Sequence, residues 1–268
     1  MSRAMFNSHR TGLHRTRLLF GVLALITSLG ATPISAAYAA GPPIQPGAAI
    51  VTGNSGCTLA WLFQRADLQP DGTTSVAVFG STAAHCVDRV GQQVDLAETS
   101  TRLGEVAFLG DADEQGRDYA FIAIDPAVYQ QINPAMAGHP TIPTGLSKTA
   151  AEGDVMQFSG HGLGFDQTAE TRERRQGILD WDGEKEHAIL GVVTFGDSGG
   201  PVADVDEGGT AYGIVNTVGA GVNSEAMTIV TAGEGGANLD FVLADAASLG
   251  FSPGALCVAA QPCGAAAS

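Results

Sequence analysis

Six consecutive residues, Gly196-Asp197-Ser198-Gly199-Gly200-Pro201, carry the strongest chemical signal in the chain. A serine set between glycines has backbone free to approach a ligand. That suits a nucleophile beside an oxyanion hole, where two N–H groups aimed at one point hold a developing O⁻. Small residues let the chain turn tightly enough to aim them. Read alone, the same six residues are also a Gly-rich turn. A serine hydroxyl is a weak nucleophile and needs a base. Thr82-Ala83-Ala84-His85-Cys86 supplies His85, with Cys86 placed to pin it. Asp118, in Gly116-Arg117-Asp118-Tyr119-Ala120-Phe121-Ile122, opens an apolar strand. A partly buried carboxylate needs a partner, and a histidine N–H is one that also fixes the imidazole tautomer. By itself, Asp118 reads equally as a turn residue at a strand start.

Chain order decides between two architectures. Gly196–Gly200 also fits G-x-S-x-G, the nucleophile elbow of α/β-hydrolases, whose histidine follows the serine. The histidines here stand at 9, 14, 85, 139, 161 and 187, all before Ser198, which excludes that fold. The order His85, Asp118, Ser198 is the chymotrypsin order. With TAAHC, RDYAFI and GDSGGP in that order, the chain resembles the trypsin/chymotrypsin-like serine proteases, of the bacterial secreted type, over about Ile50 to Gly250.

The resemblance implies an all-β fold of two six-stranded antiparallel β-barrels packed side by side with a C-terminal helix, and a site in the cleft between them. It makes Ser198 the nucleophile, His85 the general base and then acid, and Asp118 the orienting carboxylate. The N–H groups of Gly196 and Ser198 form the oxyanion hole. It also implies a Cys57–Cys86 bridge beside the histidine, leaving Cys257–Cys263 as the second. Asp197 is expected to be buried and to need a cation, since an unpaired buried charge is costly. An amine freed before Ile50-Val51-Thr52-Gly53 is one source; Arg172, Arg174 or Arg175 is the other, and the favoured one.

The residue six before the nucleophile is Val192, followed by Val193 and Thr194. The facing wall runs from Val215 through Asn216 and Thr217 to Val218, without an acid or a histidine. That substrate pocket reads as apolar and shallow. It implies a preference for Ala, Val or Leu over Arg, Lys and Glu before the cut bond. Asn216, Thr217 and Val218 replace the Ser, Trp and Gly that family members usually have. The Asn216 amide can donate to Asp118 as the serine does. No cysteine lies between 87 and 256, so the disulfide across the specificity loops is missing.

The elements that must position these residues are short and many. Apolar segments at Cys57–Phe63, Ser75–Phe79, Val106–Leu109, Tyr119–Ile124, Val155–Ser159, Ile189–Phe195, Tyr212–Val218 and Met227–Val230 are rich in β-branched and aromatic residues, as strands prefer. Turn clusters such as Pro70-Asp71-Gly72 separate them. A Pro-bearing stretch from Asn133 to Gly153 can join two halves. Leu239, Val242, Leu243, Ala246 and Leu249 follow helical spacing, with Asn238 at the start and Gly250 at the end.

The remaining signals concern export. Residues 1–39 have the layout of a signal peptide: four Arg and no acid up to Arg17, the apolar run Leu18–Ala31, then Ala37-Tyr38-Ala39. That run is shorter than a membrane span of about 20 residues. Residues 40–49 read as a leader or short propeptide, 50–250 as the protease domain and 251–268 as a disulfide-bearing tail. Export permits disulfides, and four cysteines remain for them. The net charge of −15 over 268 residues repels a phosphate backbone and argues against nucleic acid as a partner. No C-x-x-C or H-x-x-x-H spacing points to zinc. Asp111, Asp113 and Gly116 resemble a calcium loop only faintly, with Ile122 where the loop needs Glu. His139, His161 and His187 read as structural. The expectation is a monomeric secreted serine endopeptidase acting on polypeptides without cofactor or metal, and without a membrane once the signal is removed. Its rivals are an inactive binding protein on the same fold and an esterase using the same triad.

Overall fold

The computed structural model describes residues 43–53, 55–139, 142–162, 175–223, 228–258 and 263, and from 218 to 232 the backbone alone. The expected signal peptide lies outside these residues, as do Arg172, Arg174 and most of 259–268.

The first half is a curled eight-stranded sheet. Its strands are β1 (Ala49–Thr52), β2 (Ser55–Thr58), β3 (Leu62–Leu68), β4 (Thr74–Thr82), β5 (Gln93–Leu96), β6 (Arg102–Leu109), β7 (Ala120–Ile124) and β14 (Ala255–Leu256). Their order is β14-β3-β4-β7-β6-β5-β1-β2, with antiparallel neighbours throughout. The second half is a closed barrel of β8 (Val155–Phe158), β9 (Arg175–Asp182), β10 (Glu186–Gly191), β11 (Pro201–Asp204), β12 (Thr210–Asn223) and β13 (Thr228–Asn238). Helix α1 (Leu239–Ser248) follows β13 directly. The expected pair of barrels is therefore one closed barrel and one curled sheet. Single bonds extend two of the sheet's pairings beyond the strands. Leu59 N donates to Ala48 O, and Ala60 N to Ser81 O.

Branched and aliphatic residues of alternating strands meet inside the sheet, among them Ile50, Leu62, Val94, Leu103, Ile122 and Ile124. Met156, Phe158, Leu179, Ile189, Val202 and Val215 fill the barrel. A third cluster joins the halves: Trp61, Phe63 and Phe121 of the sheet pack with Ile214, Leu239 and Val242. Trp61 Nε1 donates to Gly213 O at 2.9 Å, so the indole satisfies its one donor across this junction.

Packed structure is found on both sides of residues 50–250. Ile44, in the segment read as a leader, is fully buried and bridges to Ile132. Phe251 stacks on Phe108 at 5.0 Å, and β14 pairs with β3. In α1, Leu249 is 51% exposed, because the helix has ended before it and Gly250 takes φ 87°.

Cys57 is bonded to Cys86, and Cys257 to Cys263. The first bridge closes a loop of 29 positions, worth about 3.5 kcal/mol in the chain-entropy account. Replacing Cys57 and Cys86 together by Ser should lower unfolding free energy by about that amount in urea titration. A change below about 1 kcal/mol would mean that the loop is already ordered in the unfolded chain.

Candidate active site

His85 lies in a single 3₁₀ turn, Ala84–Cys86, at the end of β4. Asp118 sits just before β7, and Ser198 in the turn between β10 and β11. The sheet thus carries the histidine and aspartate, and the barrel carries the serine. Thr58 joins the two sides. Its N–H donates to Ser198 O at 2.9 Å and its hydroxyl to Gly196 O at 2.8 Å. Gly199 (φ 84°) packs against this seam, and a Cβ there would meet Thr82 Oγ1 at 2.2 Å and Thr58 O at 2.4 Å. Only glycine lets this turn come so close.

His85 Nδ1 lies 2.8 Å from Asp118 Oδ2, and the His85 amide donates to Oδ1 at 2.9 Å. The carboxylate therefore fixes the ring's tautomer and its orientation. The Asp118 hydrogen bond holds the imidazole pKa above its ordinary value, against desolvation that would lower it. Asp118 is in turn anchored on both flanks. Arg117 pairs through Nη2 with Asp245 Oδ1 at 2.9 Å, and Tyr119 OH donates to Asp245 Oδ2 at 2.7 Å. Burial alone would raise the Asp245 pKa, but these bonds bring it below the ordinary carboxylate value. Asp245 is a residue the sequence reading missed. Its signal was an acid on the buried side of α1, beside Val242 and Ala246.

The turn before Ser198 has a distinct geometry. Gly196 takes φ 102°, a region that favours glycine. Neither the Gly196 nor the Ser198 N–H donates to an acceptor among the described residues. Asp197 beneath them is 1% exposed. Its carboxylate is held by both Nη atoms of Arg175, with Nη2–Oδ1 at 2.6 Å, and by the amides of Gly162 at 2.8 Å and Thr194 at 2.7 Å. Of the three candidate arginines, Arg175 occupies this position.

No hydrogen bond joins Ser198 Oγ to the His85 ring among the described contacts. The expected bond from Asn216 to Asp118 is also not formed. Asn216 sits at a bulge in the β12–β13 ladder and is buried with Oδ1 unpartnered. Two clefts flank the site. One of about 430 Å³ is lined by Asp118, Trp181, His187, Asn216, Thr217 and Gly235. The other, about 340 Å³, is lined by Ile50, Cys57, Ala97, His161, Phe195 and Gly196. Val192 is 55% exposed, while Val193 is buried in the barrel core. Val218 pairs with Glu234 through its backbone, and its side chain lies outside the described atoms. Cys57, His85 and Cys86 bring their ligand-type atoms within 4.8 Å of one another, but the disulfide takes both sulfurs. No described helix is long and apolar enough to cross a membrane.

The fold is similar to that of Thermobifida fusca protease A, at a TM-score of 0.54 and 20% identity, over 81% of this chain and 99% of that one. It is also similar to a glutamic-acid-specific serine protease described as using a histidine triad in substrate binding, at a TM-score of 0.53 and 15% identity, over 77% and 98%. No family model and no curated protein matches the chain. At these identities the likeness is one of fold.

Proposed function

We propose that this chain, which has the chymotrypsin-like fold, is a secreted serine endopeptidase. The observation that carries the reading is the Asp118–His85 pair beside a turn whose Gly196 and Ser198 N–H groups find no acceptor among the described residues. In this reading Ser198 Oγ attacks the substrate carbonyl carbon while His85 Nε2 takes the hydroxyl proton. The carbonyl oxygen becomes an O⁻ held by the two free N–H groups. Collapse breaks the C–N bond, and the leaving amine takes the proton from His85. Water, deprotonated by the same nitrogen, then releases the acid from Ser198. Asp118 keeps the proton on Nδ1 and stabilises the imidazolium. The missing Ser198–His85 bond is compatible with this, since such bonds often tighten only around substrate. Turnover of a peptide against the matching ester separates a protease from an esterase on the same triad.

The pH dependence follows from the raised His85 pKa. The ring works as a base only when neutral, so kcat/KM should rise with pH through a value above that of ordinary histidine. Stability runs the other way. A raised pKa favours the protonated folded state, so this contribution is present at low pH and lost as pH rises through the raised value. Asp118→Asn removes the cause. Its rising limb should move down, and its rate should fall about 10⁴-fold through the wrong tautomer. A limb that stays in place in Asp118→Asn would assign the titration to another group.

A further inference from the structure

Glu234, on β13 between Gly233 and Gly235, is 3% exposed, and neither carboxylate oxygen receives a hydrogen bond. Nε2 of the buried His187 lies 3.8 Å from Oε1 and is also unpartnered. The pair does not satisfy itself. His187 Nδ1 lies 2.8 Å from Asn238 Oδ1, and Asn238 Nδ2 donates to Gly183 O at 2.6 Å. That second bond fixes the amide, so Nδ1 is the donor to Oδ1. In the neutral ring, Nε2 then presents a lone pair to the carboxylate and offers it no proton. A carboxylate buried without donors is costly, and a group kept in that state requires a reason.

Its position supplies one. Gly199 N donates to Val215 O at 2.6 Å, which ties the nucleophile turn to β12. On the facing strand Val215 pairs with Gly236, and Val218 with Glu234. Glu234 also pairs with Ile189 of β10, which points into the barrel core, and directly opposed residues share a face. The carboxylate therefore projects into the barrel close behind the strand that backs Ser198. The His187 ring fills the room left by absent side chains; a Cβ on Gly213 would meet its Cε1 at 2.3 Å and one on Gly236 at 2.7 Å.

We propose that Glu234, backed by His187, is the anionic floor of the pocket for the substrate side chain before the cut, and that it selects Lys or Arg. The inference rests on the protease reading above. An ammonium or guanidinium group brings the donors that this carboxylate lacks. An apolar side chain leaves it unpaired, and a site built to bond a polar group rejects a partner that cannot. Val192, the residue the sequence suggests for that floor, is more than half exposed. On this proposal the preference runs to cations rather than to the apolar residues suggested by the sequence. The acidic balance of the chain, 28 acids against 13 bases, also favours approach of cations.

The test uses the full chain and peptides that differ only in the residue before the scissile bond. Lys and Arg should exceed Leu at least tenfold in kcat/KM, with Glu lowest. Glu234→Gln should cut the Lys-to-Leu ratio at least tenfold. A wild-type preference for Leu or Ala overturns the proposal, as does an unchanged ratio in Glu234→Gln. Calorimetry with benzamidine, a planar cation, reads the pocket without catalysis. It should bind the wild type and Ser198→Ala, and at least tenfold more weakly Glu234→Gln. Binding without any peptide cleavage sinks the protease reading and leaves the pocket. Leu-peptide cleavage without benzamidine binding sinks the pocket and leaves the protease. If Glu234→Gln does not fold, the wild-type preference and its benzamidine affinity decide alone.

Discussion

Ser198→Ala is expected to abolish peptide hydrolysis, with kcat falling by several orders of magnitude while the protein stays folded. The size follows from how the groups act. His85 has no proton to take without the hydroxyl, and Asp118 then orients a base with no task, so one deletion disables the set. Folding should tolerate the change because the packing of this turn depends on its backbone. Ser198 O accepts from Thr58, and Gly199 N donates to Val215 O. A fluorophosphonate should label the wild type at Ser198, and Ser198→Ala not at all. Near-normal turnover by folded Ser198→Ala would refute the assignment. Absence of labelling in the folded wild type would favour the inert binding protein.

The residues of this site differ in how far they could be read from the sequence, and the difference is physical. His85, Asp118 and Ser198 each announce themselves locally, through a flanking cysteine, an apolar strand and a run of glycines. Strands with β-branched residues were equally legible. The last one was read as Met227–Val230, but β13 continues to Asn238 through Gly233, Gly235 and Gly236. Glycine is a poor strand residue by itself. Here the approach of His187 against that strand decides, and it comes from β10, about 50 positions earlier in the chain. The sequence likewise suggests one segment over Ile189–Phe195, whereas β10 ends at Gly191 and Phe195 is 78% exposed. Asn216 could be matched to its position, but not to the bulge at which it is buried with Oδ1 unpartnered. Asp245 and Glu234 were missed for a common reason. A buried acid is defined by its partners, and those partners lie on other strands or on a helix.

The largest structural penalty should come from Arg175→Met. Arg175 and Asp197 are 12% and 1% exposed, so removing the guanidinium leaves a buried carboxylate held only by neutral donors, the amides of Gly162 and Thr194 and the Thr194 hydroxyl, among the described residues. Breaking such a pair from one side typically costs about 3–5 kcal/mol. The turn should pay in function too. Asp197 lies between Gly196 and Ser198, and a carboxylate that swings toward water drags both oxyanion donors with it. Loss of one such donor alone costs about 10²–10³ in kcat, so a fall of at least that size is expected. Arg175→Lys should recover only part of it, because a point charge cannot grip both oxygens at once. Arg175→Met combined with Asp197→Asn should regain stability over Arg175→Met alone, since no charge is then buried. The rival cation, an amine freed at Ile50, carries its own cost. It would cut away Ile44 and Ala48, both buried in the sheet core, and Ile50 is itself paired within β1 to Cys57 and Leu96. Urea titration with peptide turnover on the same samples measures both effects. Full stability and activity in Arg175→Met, with Ile50 as the first residue of the active form, would hand the role to the amine.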